Sequence, residues 1–366
     1  MRSDGRELVA LQVAQGPSFR RRLEELWAGG AAVLPLAPDL PAPEVRTALA
    51  RMRPAAHFTD RSSERLDDAV AIDPDTDLVV LTSGSTGRPK GVELSRSALR
   101  AGAQMTIDRL GCEPGERWLC CVPVTRIAGL ALLERAELLG SDPLVLERFD
   151  VEAIDRDDGC RYISLVPTML HRLLEARIDL GRFDAILLGG AASSPQLLDR
   201  ARRAGARVIR TYGMTETCGG VVYDGRPLEG VRVEVGEDDV VSLATPSLMN
   251  RYRLDPSITE VVLQEGWYRT GDVGEWDGSA LRVWGREDDA IVTGGEKVFP
   301  FEVEQALLAH PQVRAARVSG EPDEEWGQRV IAEVTADIDE QDLRSFLKER
   351  LARHKVPSSI NVKGAS

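Results

Sequence analysis

Residues 81–95, LTSGSTGRPKGVELS, gather hydroxyls at Thr82, Ser83, Ser85 and Thr86 and glycines at Gly84, Gly87 and Gly91, then add Pro89 and Lys90. Hydroxyls and open backbone N–H groups donate hydrogen bonds, glycine lets the backbone approach a ligand closely, and lysine brings a point charge. Together they suit a polyphosphate. The spacing is not that of the Walker loop, Gly-x-x-x-x-Gly-Lys-Ser/Thr at a helix start. The flanks DLVVLT and KGVEL read as strand on both sides, which predicts a loop between two strands. The competing reading is a Gly/Ser hairpin without a ligand. Hairpin turns need only about two to five residues, so the length and the hydroxyl density count against it.

Further segments could complete a nucleotide site. LLGGAA (187–192) ends a strand in glycine, so backbone can pack flat against a planar ligand. TYGMTET (211–217) offers an aromatic ring, hydroxyls and Glu216. YRTGD (268–272) offers Asp272, which could accept hydrogen bonds from a ribose diol, and GREDDAIVTGGEK (285–297) offers Arg286 beside a hinge-like stretch. Alone, each is ordinary turn sequence; their joint occurrence in this order is the signal. The histidines His57, His171, His310 and His354 lie outside every motif, so a histidine-activated nucleophile finds no support.

The elements that must hold these segments follow from periodicity. From about residue 77 to 222, short apolar runs such as YISLV and DAILLGG alternate with amphipathic stretches such as PTMLHRLLEARI and SSPQLLDRARRAG. That alternation predicts βαβ units and a parallel sheet, whose ligands sit beyond the carboxyl ends of the strands. From about 228 to 286 the texture changes to short polar-alternating strands (VRVEVG, VVSLAT, EVVLQEGWYRTGD, ALRVWG), which predicts a small antiparallel β-subdomain. Beyond GREDD comes a separate small α+β domain: helix FPFEVEQALLAH, strands VRAARVSG and RVIAEVTAD, and a helix from Asp339 to about His354 with Leu343, Phe346, Leu347 and Leu351 on one face.

At 366 residues there is room for two domains. A net charge of −13 argues against nucleic acid or an anionic membrane as partner. The cysteines at 112, 120, 121, 160 and 218 show no metal spacing and read as free thiols in a reducing cytoplasm. No signal core or membrane-length apolar run is present, so a cytoplasmic chain is expected.

With these residues in view, the chain resembles the acyl-adenylate-forming superfamily of acyl- and aryl-CoA ligases, adenylation domains and luciferases, over about residues 77–357. The resemblance implies an α/β N-terminal domain (1–287) with a parallel sheet and small β-subdomain, and a mobile α+β C-terminal domain (288–366) turning about Asp288. It implies ATP, Mg²⁺ and CoA as cofactors or substrates, an acid as the other substrate, and a homodimer. The loop with Thr82, Ser83, Gly84, Ser85, Thr86, Gly87 and Lys90 would close over the β- and γ-phosphates. Gly189, Gly190, Ala191, Tyr212 and Gly213 would enclose adenine, Thr215 would contact the α-phosphate, and Glu216 would hold Mg²⁺. Asp272 and Arg286 would bind the ribose, and Gly294 and Gly295 would line the pantetheine tunnel.

Two segments, VPVTRIAGLALLERA (122–136) and YISLVPTMLHRLLE (162–175), resemble the o-succinylbenzoate–CoA ligases of menaquinone biosynthesis. In that branch Arg126, Ile127, Gly129 and Gly190 would border the acyl group. Arg126 stands where relatives usually have histidine; it could grip the second carboxylate of a dicarboxylic acid or simply pair with a surface carboxylate. Lys297 stands where relatives often show asparagine, either as a solvated charge or facing a phosphate of CoA. Rival readings are another aryl- or acyl-CoA ligase, an amide-forming adenylate enzyme, or a nucleotide-binding protein with weakened activity. The last follows from LARHKVPSSINVKGAS, where the family's Pro-x-x-x-x-Gly-Lys lysine has no match and Lys363 is the lysine that follows HKVP. On that reading adenylation is expected to be slow and thioester formation normal, with Lys363 either a tail residue or a substitute catalytic cation.

Overall fold

The structure is a computed structural model that describes residues 6–83, 89–191 and 193–364, with only the backbone of Ser83. Two seven-stranded sheets carry most of the chain. In the first, Leu8–Gln12, Ala32–Pro35, Ala56–Thr59 and Leu78–Ser83 run parallel, flanked by antiparallel Pro89–Leu94, Arg251–Tyr252 and Ser63–Arg65. In the second, Arg117–Cys120, Leu144–Val145, Cys160–Leu165, Ala185–Leu188 and Val208–Met214 run parallel, and Gly219–Tyr223 and Arg226–Pro227 close it antiparallel. The parallel strands are short continuous apolar runs because both faces are covered: Leu8, Leu34, Val79, Ile163 and Ile186 are all fully buried.

The expected βαβ alternation holds from Arg117 to Met214. It fails before that. Leu78–Ser83 belongs instead to the sheet built by residues 8–65, a region the periodicity reading left unassigned. The phosphate-loop flanks also pair directly with each other, Thr82 opposite Lys90 and Ser83 opposite Pro89. The connection is therefore a hairpin of five residues, and the length argument against a hairpin does not hold. Two helices pack near the start of the second sheet. Arg96–Leu110 begins where the Ser95 hydroxyl accepts the Ala98 N–H at 3.1 Å and ends at Gly111 with φ 71°. Ile127–Leu138 is buried without a break from Gly129 to Ala136, as its nearly all-apolar sequence requires. A methyl at Gly129 would lie 2.5 Å from the Pro123 carbonyl oxygen, so glycine permits this close approach.

Five of the strands between 232 and 286 form the expected small sheet, antiparallel where Trp267–Trp276 pairs with Leu263–Gln264 and with Leu281–Arg286, while Arg251–Tyr252 joins the first sheet instead. One stretch departs from expectation. EVVLQEGWYRTGD is not one strand: Pro256–Val262 is a helix capped by Asp255, and strands Leu263–Gln264 and Trp267–Trp276 follow. Asp255 followed by Pro256 is the helix-start signal that the sequence carries there. In the C-terminal part, alternate residues Val330, Ala332, Val334 and Ala336 of strand Gly327–Ala336 pack on helices Pro300–Leu308 and Glu340–Lys348. That last helix is shorter than expected, giving way to a 3-10 turn at Arg353–Lys355.

The chain divides into two compact units. The first holds residues up to Ala191 with Ala204–Arg232 and Leu243–Tyr268; the second holds 192–203, Val233–Ser242 and 269–366. Among the described residues, no helix is long and apolar enough to cross a membrane.

Candidate active site

In the first unit Lys90 lies on the strand pair Leu78–Ser83 and Pro89–Leu94. Directly opposed residues of an antiparallel pair share a face, so Thr82 and Lys90 project together. Gly84, Ser85, Thr86 and Gly87 lie outside the described residues, as does the side chain of Ser83. The Lys90 ammonium stands 5.2 Å from the ring centre of Tyr252. The Tyr252 hydroxyl donates at 2.7 Å to Oε1 of Glu216, which sits in the 3-10 turn Thr215–Thr217 at the end of strand Val208–Met214. Burial, then the Glu216 charge and Tyr268, push the Tyr252 phenol far above its usual range, so it stays a donor. Thr217, fully buried, is bound into the turn by Met214 and Gly219, whereas Thr215 is part-exposed. Of the turn's two threonines, Thr215 is the one that reaches the surface.

Gly189 and Gly190 follow strand Ala185–Leu188, and Leu188 is level with Arg210 on the neighbouring parallel strand. The strand ends there: Gly190 turns away at φ 78°, and a methyl on it would lie 3.2 Å from Val166. A side chain at Gly189 would meet the Thr211 hydroxyl at 2.5 Å, and one at Gly213 would meet the Gly219 carbonyl oxygen at 2.0 Å. The glycines thus keep a closely approached backbone shelf at the carboxyl edge of the sheet, with Ala191 exposed at its end. Arg126 pairs with no carboxylate among the described residues; its guanidinium donates to the Leu81 carbonyl at 3.0 Å, just before the phosphate loop. Ile127 and Gly129 open the helix that Arg126 precedes.

Arg135, in the last turn of that same helix, was not singled out from sequence. It is 5% exposed, its guanidinium lies 4.8 Å from the Trp118 ring centre, and Nε and Nη1 have no hydrogen-bond partner among the described residues. Burial pulls its pKa below the usual arginine value. An arginine within the run LALLERAELL was the available signal.

The second unit groups the other expected residues at separate places. Asp272, nearly buried, faces Arg286 across the pair Trp267–Trp276 and Leu281–Arg286, with 3.2 Å between Oδ1 and Nη1. Asp288 lies in the 3-10 turn Glu287–Asp289. Gly294 packs under the Trp326 ring, where a methyl would come within 2.7 Å, and Gly295 has open space. Lys297 is exposed with Glu287 at 3.9 Å, and Lys363 is exposed on strand Ser359–Lys363 with Glu333 at 3.5 Å.

Among the described residues no cluster of three His, Cys, Asp or Glu side chains could hold a metal. A single buried carboxylate with one oxygen already held, as at Glu216, fits Mg²⁺, which keeps waters and binds through one or two carboxylates plus substrate phosphates. His57 is buried on Gln12 at 3.0 Å, away from these groups in the sequence motifs. The cysteines are unpaired, and burial pushes Cys120 and Cys121 up to about 12.

Residues 68–239 match the AMP-binding enzyme family and residues 302–364 match the AMP-binding enzyme C-terminal domain. The chain is 44% identical over 288 residues to a probable 2-succinylbenzoate–CoA ligase of Mycobacterium tuberculosis, covering 75% of this chain and 73% of that protein. It is 35% identical over 332 residues to the 2-succinylbenzoate–CoA ligase of Bacillus licheniformis, covering 83% and 68%. Among solved structures it is similar to o-succinylbenzoate CoA synthetase (MenE) from Bacillus subtilis in complex with the acyl-adenylate intermediate OSB-AMP. There the TM-score is 0.83 at 28% identity, over 98% of this chain and 84% of that one. The same synthetase in complex with ATP and magnesium ion matches with a TM-score of 0.83 at 27% identity, over 98% and 86%.

Proposed function

We infer that this chain, which belongs to the AMP-binding enzyme family, is a 2-succinylbenzoate–CoA ligase that activates the acid with ATP and then forms the CoA thioester. The observation that carries the reading is the grouping of Lys90, Tyr252 and Glu216 beside the glycine shelf, in a chain with these relatives.

In the first step a carboxylate oxygen bonds to the α-phosphorus of ATP, and the bond to the pyrophosphate oxygen breaks. Negative charge gathers on a crowded centre, so cations and oriented donors carry the catalysis and no general base is needed. Lys90, Thr82 and the loop hydroxyls hold the β- and γ-phosphates, and Thr215 faces the α-phosphate. Glu216 holds Mg²⁺, which when bound neutralises phosphate charge. Gly189, Gly190, Ala191, Tyr212 and Gly213 take adenine, and Asp272 with Arg286 takes the ribose. In the second step the CoA sulfur bonds to the acyl carbon and AMP leaves. Gly294, Gly295 and Lys297 receive CoA after the C-terminal domain turns about Asp288. The free thiols suit a reducing cytoplasm.

The acid has a second carboxylate that does not react. Arg126 and Arg135 stand at opposite ends of helix Ile127–Leu138, about 13 Å apart at a helix's rise per residue. Arg126, at the mouth, already has an arm on Leu81. Arg135, at the foot, is buried, and its Nε and Nη1 have no hydrogen-bond partner among the described residues. A group far from the phosphates belongs at the foot, so Arg135 grips the spectator carboxylate and Arg126 braces the mouth. The test is a panel of carboxylic acids with ATP, Mg²⁺ and CoA, read by mass spectrometry of the thioesters. Succinylbenzoyl-CoA should dominate; a different thioester, or none, would replace this reading.

A further inference from the structure

Residues 249–253 form a strap joining both seven-stranded sheets. Met249 N–H donates to the Glu216 carbonyl at 2.8 Å, Asn250 N–H to the Glu93 carbonyl at 2.8 Å, and Arg253 N–H to the Gly91 carbonyl at 2.7 Å. Arg251–Tyr252 pairs with strand Pro89–Leu94, the strand that carries Lys90. Below it the buried Arg253 guanidinium meets Glu93 at 3.2 Å and the Met52 and Val70 carbonyls at 2.6 Å each. The strap is thus anchored in the core of the first unit.

Tyr252 touches both things the strap connects. Its ring lies under the Lys90 ammonium and its hydroxyl reaches Glu216. A carboxylate can only accept, so Tyr252 donates to Glu216 and in turn accepts from Tyr268 at 3.2 Å. The donor holds Oε1 of a side chain with three rotatable torsions and so restricts how the carboxylate can turn.

We propose that Tyr252 is the positioning residue that holds the Glu216 carboxylate toward magnesium and ties that setting to the strand carrying Lys90. The proposal rests on Glu216 being the metal carboxylate, as inferred above. Metal and phosphate grips are then set by one side chain, and a nucleotide carrying Mg²⁺ meets both in register. AMP, which brings neither the metal nor the outer phosphates, is indifferent to it.

Tyr252→Phe keeps the ring beneath Lys90 and removes the hydroxyl. In the full chain, ATP binding is measured by calorimetry at a series of Mg²⁺ concentrations, and AMP binding without metal. The magnesium concentration for half-maximal ATP binding should rise about 10-fold, with AMP affinity within about twofold of the parent, because hydrogen-bond partners of metal ligands typically set metal affinity at this scale. Glu216→Gln runs alongside. If it raises the magnesium midpoint and Tyr252→Phe does not, the positioning role is overturned while the Glu216 assignment stands. If neither moves, both fall. Equal weakening of AMP and ATP would mark Tyr252 as merely structural and also overturn the proposal. Should Tyr252→Phe fail to melt cooperatively, Glu216→Asp takes its place, since it keeps the charge but withdraws it from the hydroxyl. A parental magnesium midpoint in that variant would overturn the proposal, and a rise of about 10-fold would support it.

Discussion

A buried guanidinium with open donors has a distinctive mutational signature. Arg135→Leu removes a charge that has no ion-pair partner to strand among the described residues, so the melting temperature should hold or rise. The KM for succinylbenzoate should rise about 10- to 100-fold, the scale of a lost hydrogen bond to a charged group, with KM for ATP unchanged. Steady-state kinetics and a thermal melt together check this; a fall in stability with normal KM would make Arg135 a packing residue. Arg126→Ala releases the Leu81 carbonyl beside the phosphate loop and should raise KM for ATP as well as for the acid. Lys90→Ala should slow pyrophosphate exchange by about 100-fold, as for loss of one preorganised transition-state stabiliser. Its stability cost should be small, about 0.5–1 kcal/mol for the exposed side of a cation–π contact. Thiol chemistry gives a further check: with Cys120 and Cys121 pushed up to about 12 and Cys112 to about 11, alkylation at pH 8 should be slow in the folded chain. Denaturant should release all five thiols; rapid labelling of Cys120 or Cys121 in the native chain would mean that these two are not buried as described.

Elements set where those residues can reach. The end of strand Val208–Met214 crosses strand Gly219–Tyr223 so closely that Gly213→Ala places a methyl 2.0 Å from a carbonyl oxygen. Neither strand can retreat without breaking its ladder, so the variant should lose about 1–3 kcal/mol or more. The displaced turn carries Thr215 and Glu216, hence adenylation should fall with stability; denaturant melts paired with pyrophosphate exchange measure both. Gly102, in the helix Arg96–Leu110, is a fitting contrast. A methyl there meets its nearest neighbours at 3.4 Å and longer, so Gly102→Ala should be nearly neutral.

For the molecule as a whole, the proposed turn about Asp288 separates two half-reactions. A hinge residue absorbs large backbone changes, while proline fixes φ and restricts its neighbour. Asp288→Pro should leave adenylate formation near normal and slow transfer of supplied acyl-AMP to CoA by about 10-fold or more. Parallel assays of pyrophosphate exchange and adenylate consumption decide it; retention of both rates would move the hinge elsewhere.

What the sequence determined by itself is local chemistry and local period. The hydroxyl-glycine loop, the alternation along RVIAEVTA and the Thr215–Glu216 turn could all be located from neighbouring residues. Tertiary structure alone decided which polar groups meet. Tyr252 reaches Glu216 across 36 positions, Arg126 reaches Leu81 across 45, and Arg253 reaches Glu93 across 160. It also decided that Leu78–Ser83 and Pro89–Leu94 complete the sheet of the first residues rather than opening the next one. The physical reason is that periodicity records which face of an element is apolar, because burial acts on every residue of that face. A single hydrogen bond or ion pair leaves no period. Its partner is chosen by how the sheets pack, and two residues such as Arg126 and Arg135, alike in the sequence, part only there, one bonded to the Leu81 carbonyl and the other buried against Trp118.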